Sequence, residues 1–183
     1  VRFELQPVLK GARVELRPLN AADYEALREV ASDPLIWEQH PDQTRHQPEG
    51  FRVFFERAMA SGGALLAIDA ATQRVIGSSR FHGYDEAASE VEIGWTFLAR
   101  THWGGAYNRE MKHLMLQHAF RFVRRVVLLV GSRNFRSQRA VEKIGGVRAG
   151  SRRDAEGRED LRFEITATAF AEQVSASGND GHV

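Results

Sequence analysis

Val126-Val127-Leu128-Leu129-Val130 is a run of five apolar residues with a helical pattern on either side of it. So short and β-branched a run reads as a strand buried on both faces. Arg124 and Arg125 flank it on one side and Gly131 on the other. A buried strand reached through helices on both sides points to one sheet with helical crossovers, a mixed α/β layout.

The rest of the chain fits around that strand. Residues 13–19 (RVELRPL) alternate, with Val14 and Leu16 on one face, and read as a strand. Asn20 and Asp23 suit the start of a helix. Tyr24, Leu27, Val30 and Ala31 follow at helical spacing, and Asp33-Pro34 ends the element. A polar loop leads to a second helix with Phe51, Phe54, Phe55, Ala58 and Met59 on one face, stopped by Ser61-Gly62-Gly63. Three strands are expected at 64–70, 74–84 and 90–99. A helix at 108–123 has Met111, Leu114, Met115, Ala119, Phe122 and Val123 on its apolar face. After the buried strand comes a short helix within 132–146, ending at Gly145-Gly146. Strands at 147–153 and 160–170 bracket a turn at 154–159. The expected fold is α/β (α+β): one mixed, mostly antiparallel sheet of about seven strands, flanked by about four helices. It should form one domain over residues 1–172, with a polar, disordered tail at 173–183.

Composition removes some chemistries. There are no cysteines, so there is no thiol nucleophile, disulfide or Cys-based metal site. His113 and His118 lie five apart on a helix, and no cluster has metal-ligand spacing. No apolar run approaches the ~18 residues of a membrane span. The first residues lack the apolar core of a leader peptide, so no membrane association and a cytoplasmic location are expected. The net charge is only +1, but residues 121–153 hold ten basic residues and one acid, Glu142. Such a patch suits a nucleic acid or a phosphorylated small molecule; it also reads as a solvated arginine face. The nearby aromatics, Phe120, Phe122 and Phe135, are too few to indicate base stacking.

Trp103-Gly104-Gly105-Ala106 stands at the mouth of the long helix. A helix N-terminus offers unpaired N–H groups and partial positive charge, and glycines before it let a phosphate approach. Arg109 adds a cation in the first turn, which makes sense if an anion sits there; Glu110 could also offset it. The pattern is neither G-x-x-x-x-G-K-[ST] nor G-x-G-x-x-G. By itself it is equally a tight strand-to-helix connection.

Three motifs together carry a resemblance. They are I93-G94-W95-T96-F97-L98, W103-G104-G105-A106-Y107, and N134-F-R-S137-Q-R139-A-V-E142-K143-I-G145. In this order the chain resembles the GNAT superfamily of acetyl-CoA-dependent N-acetyltransferases over residues 13–170. It is most similar to the Rim-type branch, whose founding members acetylate the N-termini of ribosomal proteins; L16-R17-P18-L19 is also typical of that branch.

The resemblance implies that the turn Thr101, Trp103, Gly104, Gly105, Ala106, continuing into Tyr107, Asn108 and Arg109, binds the pyrophosphate of coenzyme A. It implies that Phe97, Leu98 and Ala99 pair with the pantetheine arm, that Asn134 hydrogen-bonds it, and that Arg136 and Arg139 meet the adenosine phosphates. Thr101 stands where Gln or Arg is usual, Asn108 where Ala or Thr is common, and Gly146 where an aromatic is usual. A homodimer is implied by analogy only, as is a ribosomal protein as partner.

Acetyl transfer to an amine needs a neutral amine, an oxyanion donor and a proton for the leaving thiolate. Glu92 is the candidate base; its alternative is a strand residue paired with an arginine. Glu90 is the second choice. Alternation puts Glu90, Glu92 and Gly94 opposite Val91, Ile93 and Trp95. The backbone N–H near Leu98 is the candidate oxyanion donor. Many relatives place a tyrosine where this chain has Val141, so Ser137 is the candidate acid; its alternative is a helix cap. The acceptor, a small-molecule or peptide amine, should meet Trp37, Glu38, Gln39, His40, Arg80 and His82. A non-catalytic CoA- or RNA/ribosome-binding module on the same fold is the other reading.

Overall fold

The computed structural model describes residues 2–154 and 157–179. Ala155 and Glu156 of the expected turn and residues 180–183 of the expected tail lie outside the described residues. The strands are β1 (Leu9–Lys10), β2 (Val14–Pro18), β3 (Ala64–Asp69), β4 (Val75–Asp85), β5 (Glu90–Leu98), β6 (Arg125–Gly131), β7 (Val147–Arg153) and β8 (Glu159–Thr166). The helices are α1 (Tyr24–Ala31), α2 (Pro48–Ser61), α3 (Ala106–Ala119), α4 (Phe135–Lys143) and α5 (Ala167–Asn179).

All eight strands form one sheet in the order β1-β2-β3-β4-β5-β6-β8-β7. Every neighbouring pair is antiparallel except β5 and β6. That parallel pair sits mid-sheet because α3 carries the chain across between its strands. The expected architecture is therefore correct, with one more strand and one more helix than the pattern indicated. The extra strand is the two-residue β1 on the sheet edge. The extra helix is α5, which occupies residues where a strand end and a disordered tail were expected.

The sheet has a core on each face. On one, Met111, Met115, Leu116 and Ala119 of α3 pack on Val91, Ile93, Val126 and Leu128. On the other, Leu27 and Ala31 of α1 and Phe51, Phe54 and Phe55 of α2 pack on Leu66 and Phe97, with Trp37 beside them. Gly62, with φ +66°, lets the chain leave α2 and enter β3.

Two irregularities position the site. First, β5 and β6 pair only at Glu90–Arg125, Val91–Val126 and Glu92–Val127, and beyond Glu92 they separate. Second, Ser78 opposes Phe97 but Arg80 opposes Gly94, so β5 has one residue more than β4 in that interval. This is a β-bulge, and Trp95 in it has φ +51°, a sparsely populated conformation for a bulky residue. The bulge breaks the alternation expected of β5. Trp95 joins the α1/α2 face, beside Phe97, and not the face of Val91 and Ile93. Glu92, Gly94 and Trp95 consequently share a side.

Candidate active site

The parting of β5 and β6 opens a cavity of about 1090 Å³. Its walls are the far halves of β5 and β6, the turn before α3, the start of α4, and the loop after α1. It brings together most of the expected site residues. Trp37, Gln39, His40, Glu92, Phe97, Leu98, Trp103, Gly104, Gly105, Asn108, Arg109, Asn134, Arg136, Ser137 and Arg139 all line it.

Gly104 and Gly105 both have φ +106°, a region that disfavours side chains. A Cβ built on Gly104 would meet nothing within 4 Å, so the space over this turn is open. Arg109 donates its backbone N–H to the Gly105 carbonyl at 2.8 Å, the first turn of α3. The side chains of Arg109, Arg139 and Lys143 line the cavity, and none has an ion pair among the described residues. An open glycine turn, unspent helix N–H groups and free cations suit a phosphate-bearing ligand. Glu110 does not offset Arg109. Its carboxylate instead accepts the N–H groups of Arg13 and Val14, both at 2.7 Å.

Four residues expected on the cofactor stand outside the cavity lining. Thr101 is exposed and bonds His102 Nδ1 at 2.9 Å. The Tyr107 hydroxyl donates to Asp69 Oδ2 at 3.0 Å, so it braces the turn and is spent as a donor. Ala106 opens α3 with its side chain exposed, and Ala99 gives its N–H to Ile76 O at 2.7 Å. Asp69 is the anchor here. It also takes His102 Nε2 at 3.0 Å and the N–H groups of Ala71 and Thr72. The His102 bond, with the others, holds its carboxyl down to about 2. This network fixes the turn to the end of β3.

Glu92 lines the cavity where the strands part. Burial pushes its carboxyl above the ordinary range, against the pull of Arg152, Arg80 and Arg162. It has no hydrogen bond or ion pair among the described residues. The expected arginine pairing falls to Glu90 instead, which accepts from Arg125 at 3.0 Å and Arg162 at 3.2 Å. Gly94 leaves room for it, since a Cβ there would lie 3.3 Å from Glu92 Oε1.

Across the cavity, Asn134 is the cap of α4 and Ser137 is not. Asn134 Oδ1 accepts the Ser137 N–H at 3.2 Å, while the Ser137 hydroxyl has no partner among the described residues. Val141 and Gly146 depart from the family pattern together: a Cβ at Gly146 would collide with the Val141 side chain. Trp103 donates its indole N–H to Leu98 O at 3.0 Å.

Arg136 is already engaged. It lies 4.1 Å over the Trp103 ring and donates to Glu38 Oε1 at 3.2 Å, while its backbone N–H reaches Gln39 Oε1 at 3.1 Å. Glu38 is thus an exposed tether for Arg136. Trp37 is buried, its indole N–H on Ala31 O at 2.8 Å, and forms an apolar wall. His40 accepts the Asp42 N–H at 2.9 Å, and burial lowers its imidazole to about 4, so it is neutral at pH 7. His82 is exposed, edge-on to Trp95 at 5.2 Å, and outside the cavity. The basic stretch is also partly neutralised, because Arg125, Arg136 and Arg152 pair with Glu90, Glu38 and Asp160.

Lys112 escaped the sequence reading. It lies on α3 one turn before Leu116, is only 5 % exposed, and contributes to the cavity wall. Its Nζ donates to Thr96 Oγ1, next to the bulge, and to Ser79 Oγ at 3.4 Å. Burial lowers its ammonium to about 7. Between about 7 and the ordinary 10.5 the folded state binds fewer protons than the unfolded one, so stability contributed by this site rises with pH there. Lys112→Met should raise stability at pH 7, on the order of 1–3 kcal/mol, because an unneutralised buried charge is removed. The Thr96 and Ser79 hydroxyls would still satisfy each other at 2.8 Å. Denaturant titrations across pH 6.5–9.5 check this. A less stable variant with an unchanged pH slope would contradict it.

A family model described as an acetyltransferase (GNAT) domain matches residues 13–147. The chain belongs to the GNAT acetyltransferase family. Its cosubstrate is accordingly acetyl-CoA, and its class is acyltransferase. Solved structures agree in fold. A GCN5-related N-acetyltransferase from Brucella melitensis is 21% identical with TM-score 0.80, covering 91% of this chain and 81% of that one. Mycobacterium smegmatis RimJ in complex with CoA-disulfide is 18% identical with TM-score 0.69, covering 90% and 89%. Spermidine N-acetyltransferase from Vibrio cholerae, in complex with CoA and spermine, is 15% identical with TM-score 0.68, covering 88% and 98%. No curated protein matches the chain. Among the described residues no group of side chains could hold a metal, and no helix is long and apolar enough to cross a membrane.

Proposed function

We propose that this GNAT chain acetylates a primary amine by direct attack while acceptor and acetyl-CoA are bound together. The amine nitrogen forms the new N–C bond and the C–S bond breaks. Glu92 takes the proton from nitrogen, and Ser137 gives one to the departing sulfur and regains it from water. The turn at Gly104 and Gly105 and the α3 N-terminus hold the pyrophosphate; Arg109, Arg139 and Lys143 supply cations around it. Asn134 offers Nδ2 to the pantetheine arm, since its Oδ1 is spent on the cap.

The observation that carries this reading is Glu92: a half-buried carboxyl, unpaired among the described residues and with a raised pKa, at the point where β5 and β6 part. Such an environment suits a general base working near neutral pH. The Rim-type likeness, a ribosomal-protein N-terminus as one possible acceptor, a homodimer and a cytoplasmic location rest on sequence likeness and composition.

The test is amine-dependent release of free thiol from acetyl-CoA. Ser137→Ala should lose about 10²-fold or more in kcat, the scale of a positioned proton donor. Acetyl-CoA affinity should stay unchanged. A loss of less than about tenfold would remove Ser137 as the acid.

A further inference from the structure

Beside the main cavity, on the face shared by Glu92 and Trp95, lies a second pocket of about 180 Å³. Arg80, Arg45 and Arg57 line it with Phe54 and Trp95, and its one carboxylate among the described residues is Asp42. Arg45, Arg57, Asp42 and Trp95 line the main cavity too, so the two spaces adjoin.

Arg80 is the unusual member. It is 5 % exposed, its Nε is buried without a hydrogen-bond partner, and its guanidinium has no ion pair among the described residues. Its ring contacts are Trp95 at 4.4 Å and Phe54 at 5.9 Å, and the Glu92 carboxylate attracts it through space without a hydrogen bond or ion pair. Arg45, 4.9 Å from the Phe54 ring centroid, has Asp42 at 3.5 Å. Arg57 has no partner among the described residues. Among the described residues three cations thus line a small, aromatic-walled space with one carboxylate. Burial lowers both Arg80 and Arg45 to about 10, and Arg45 adds repulsion to Arg80. A buried charge without a partner is costly, and an anion in this pocket would relieve that cost.

We infer that this pocket binds a carboxylate of the acceptor, so that the acceptor class is an amine that also carries a carboxylate, such as an amino acid. The inference rests on the acetyl-transfer reading for the amine end only. A planar guanidinium matches a carboxylate through paired hydrogen bonds. Arg80 opposes Gly94, two residues from Glu92 on the neighbouring strand, a diagonal of about 7–8 Å. An amine at Glu92 and a carboxylate at Arg80 are therefore within one small molecule. A polyamine would bring a cation to a site already crowded with cations.

Two measurements test this. The first omits acetyl-CoA: thermal stability is followed against sodium propionate, with sodium chloride at matched ionic strength. The wild type should show a saturable rise with propionate, and Arg80→Met should show none. Arg80→Met should also melt higher than wild type in chloride, because its buried unpaired charge is gone. No propionate effect, or an equal effect in both proteins, overturns the inference and leaves acetyl transfer standing. The second measures kcat/KM by thiol release for free amino acids, their amides and spermidine. At least a tenfold preference for free acids is expected, lost in Arg80→Met mainly through KM. Equal or better use of amides or spermidine overturns the carboxylate assignment, while still supporting an N-acetyltransferase.

Discussion

Glu92→Gln should lower kcat by about 10²–10⁴-fold, the contribution typical of a positioned general base. The side chain keeps its size, and Gly94 still leaves it room, so the loss reports on the proton and not on packing. The pH profile gives a second signature. The wild-type carboxyl, raised mainly by burial, is protonated and idle below its pKa. Activity should therefore rise with pH along a limb lying above the ordinary 4.5 of a glutamate. Glu92→Gln should lack that limb. Its KM for acetyl-CoA should barely change, because the proposed phosphate site is the turn before α3 and does not include Glu92. A wild-type kcat in the variant would leave Glu92 a structural residue. Glu90, the alternative in the sequence, is held by Arg125 and Arg162 and is poorly placed to accept a proton.

Gly105→Val should raise the KM for acetyl-CoA by about 10²-fold. Two effects add. A β-branched side chain at φ +106° carries backbone strain of about 1–3 kcal/mol. It also adds bulk at the N-terminus of α3, where the proposed reading brings a phosphate. Gly104→Val should act alike, since its surroundings are otherwise open. Gly150→Val is the control. Gly150 also has positive φ, +134°, with nothing near its would-be Cβ, but it lies on β7, outside the cavity lining. It shares the strain and should leave KM unchanged. If all three variants shift KM equally, the glycines are needed for folding alone.

The elements that carry periodic patterns were legible in the sequence. The run at 126–130, the Phe-rich face of α2 and the glycines before α3 each predicted their place in the fold. Local chemistry was read less well where tertiary contacts decide. The alternation of 90–99 indicated Trp95 beside Val91 and Ile93, but the bulge moved it to the opposite face. No residue in EIGWTF announces a bulge. Residues 160–170 alternate like a strand throughout, yet the chain turns helical at Ala167. Alanine favours a helix there, and Phe170 seats against Phe120 at 5.3 Å and His113 at 5.1 Å.

The site divides in the same way. Glu92, Gly104, Gly105, Asn134 and Ser137 were expected at one site and line one cavity, and all but Glu92 lie in local motifs. The bracing of Tyr107 by Asp69 and the engagement of Arg136 by Glu38 depend on residues 38 and 98 positions away. Two signals were present and went unused. Lys112, one of three lysines, falls at helical spacing with Met115, Leu116 and Ala119. Asp69 closes the otherwise apolar ALLAID strand. A charge within an apolar pattern marks a buried polar group that must have a partner.

The most direct test of the account is a calorimetric titration of the wild-type protein with acetyl-CoA, run beside Gly105→Val. The account predicts one saturable site in the wild type, weakened about 10²-fold in the variant, since it proposes that the turn at Gly104 and Gly105 holds the cosubstrate's phosphates. No binding to well-folded wild type, or equal affinity in both proteins, would contradict it.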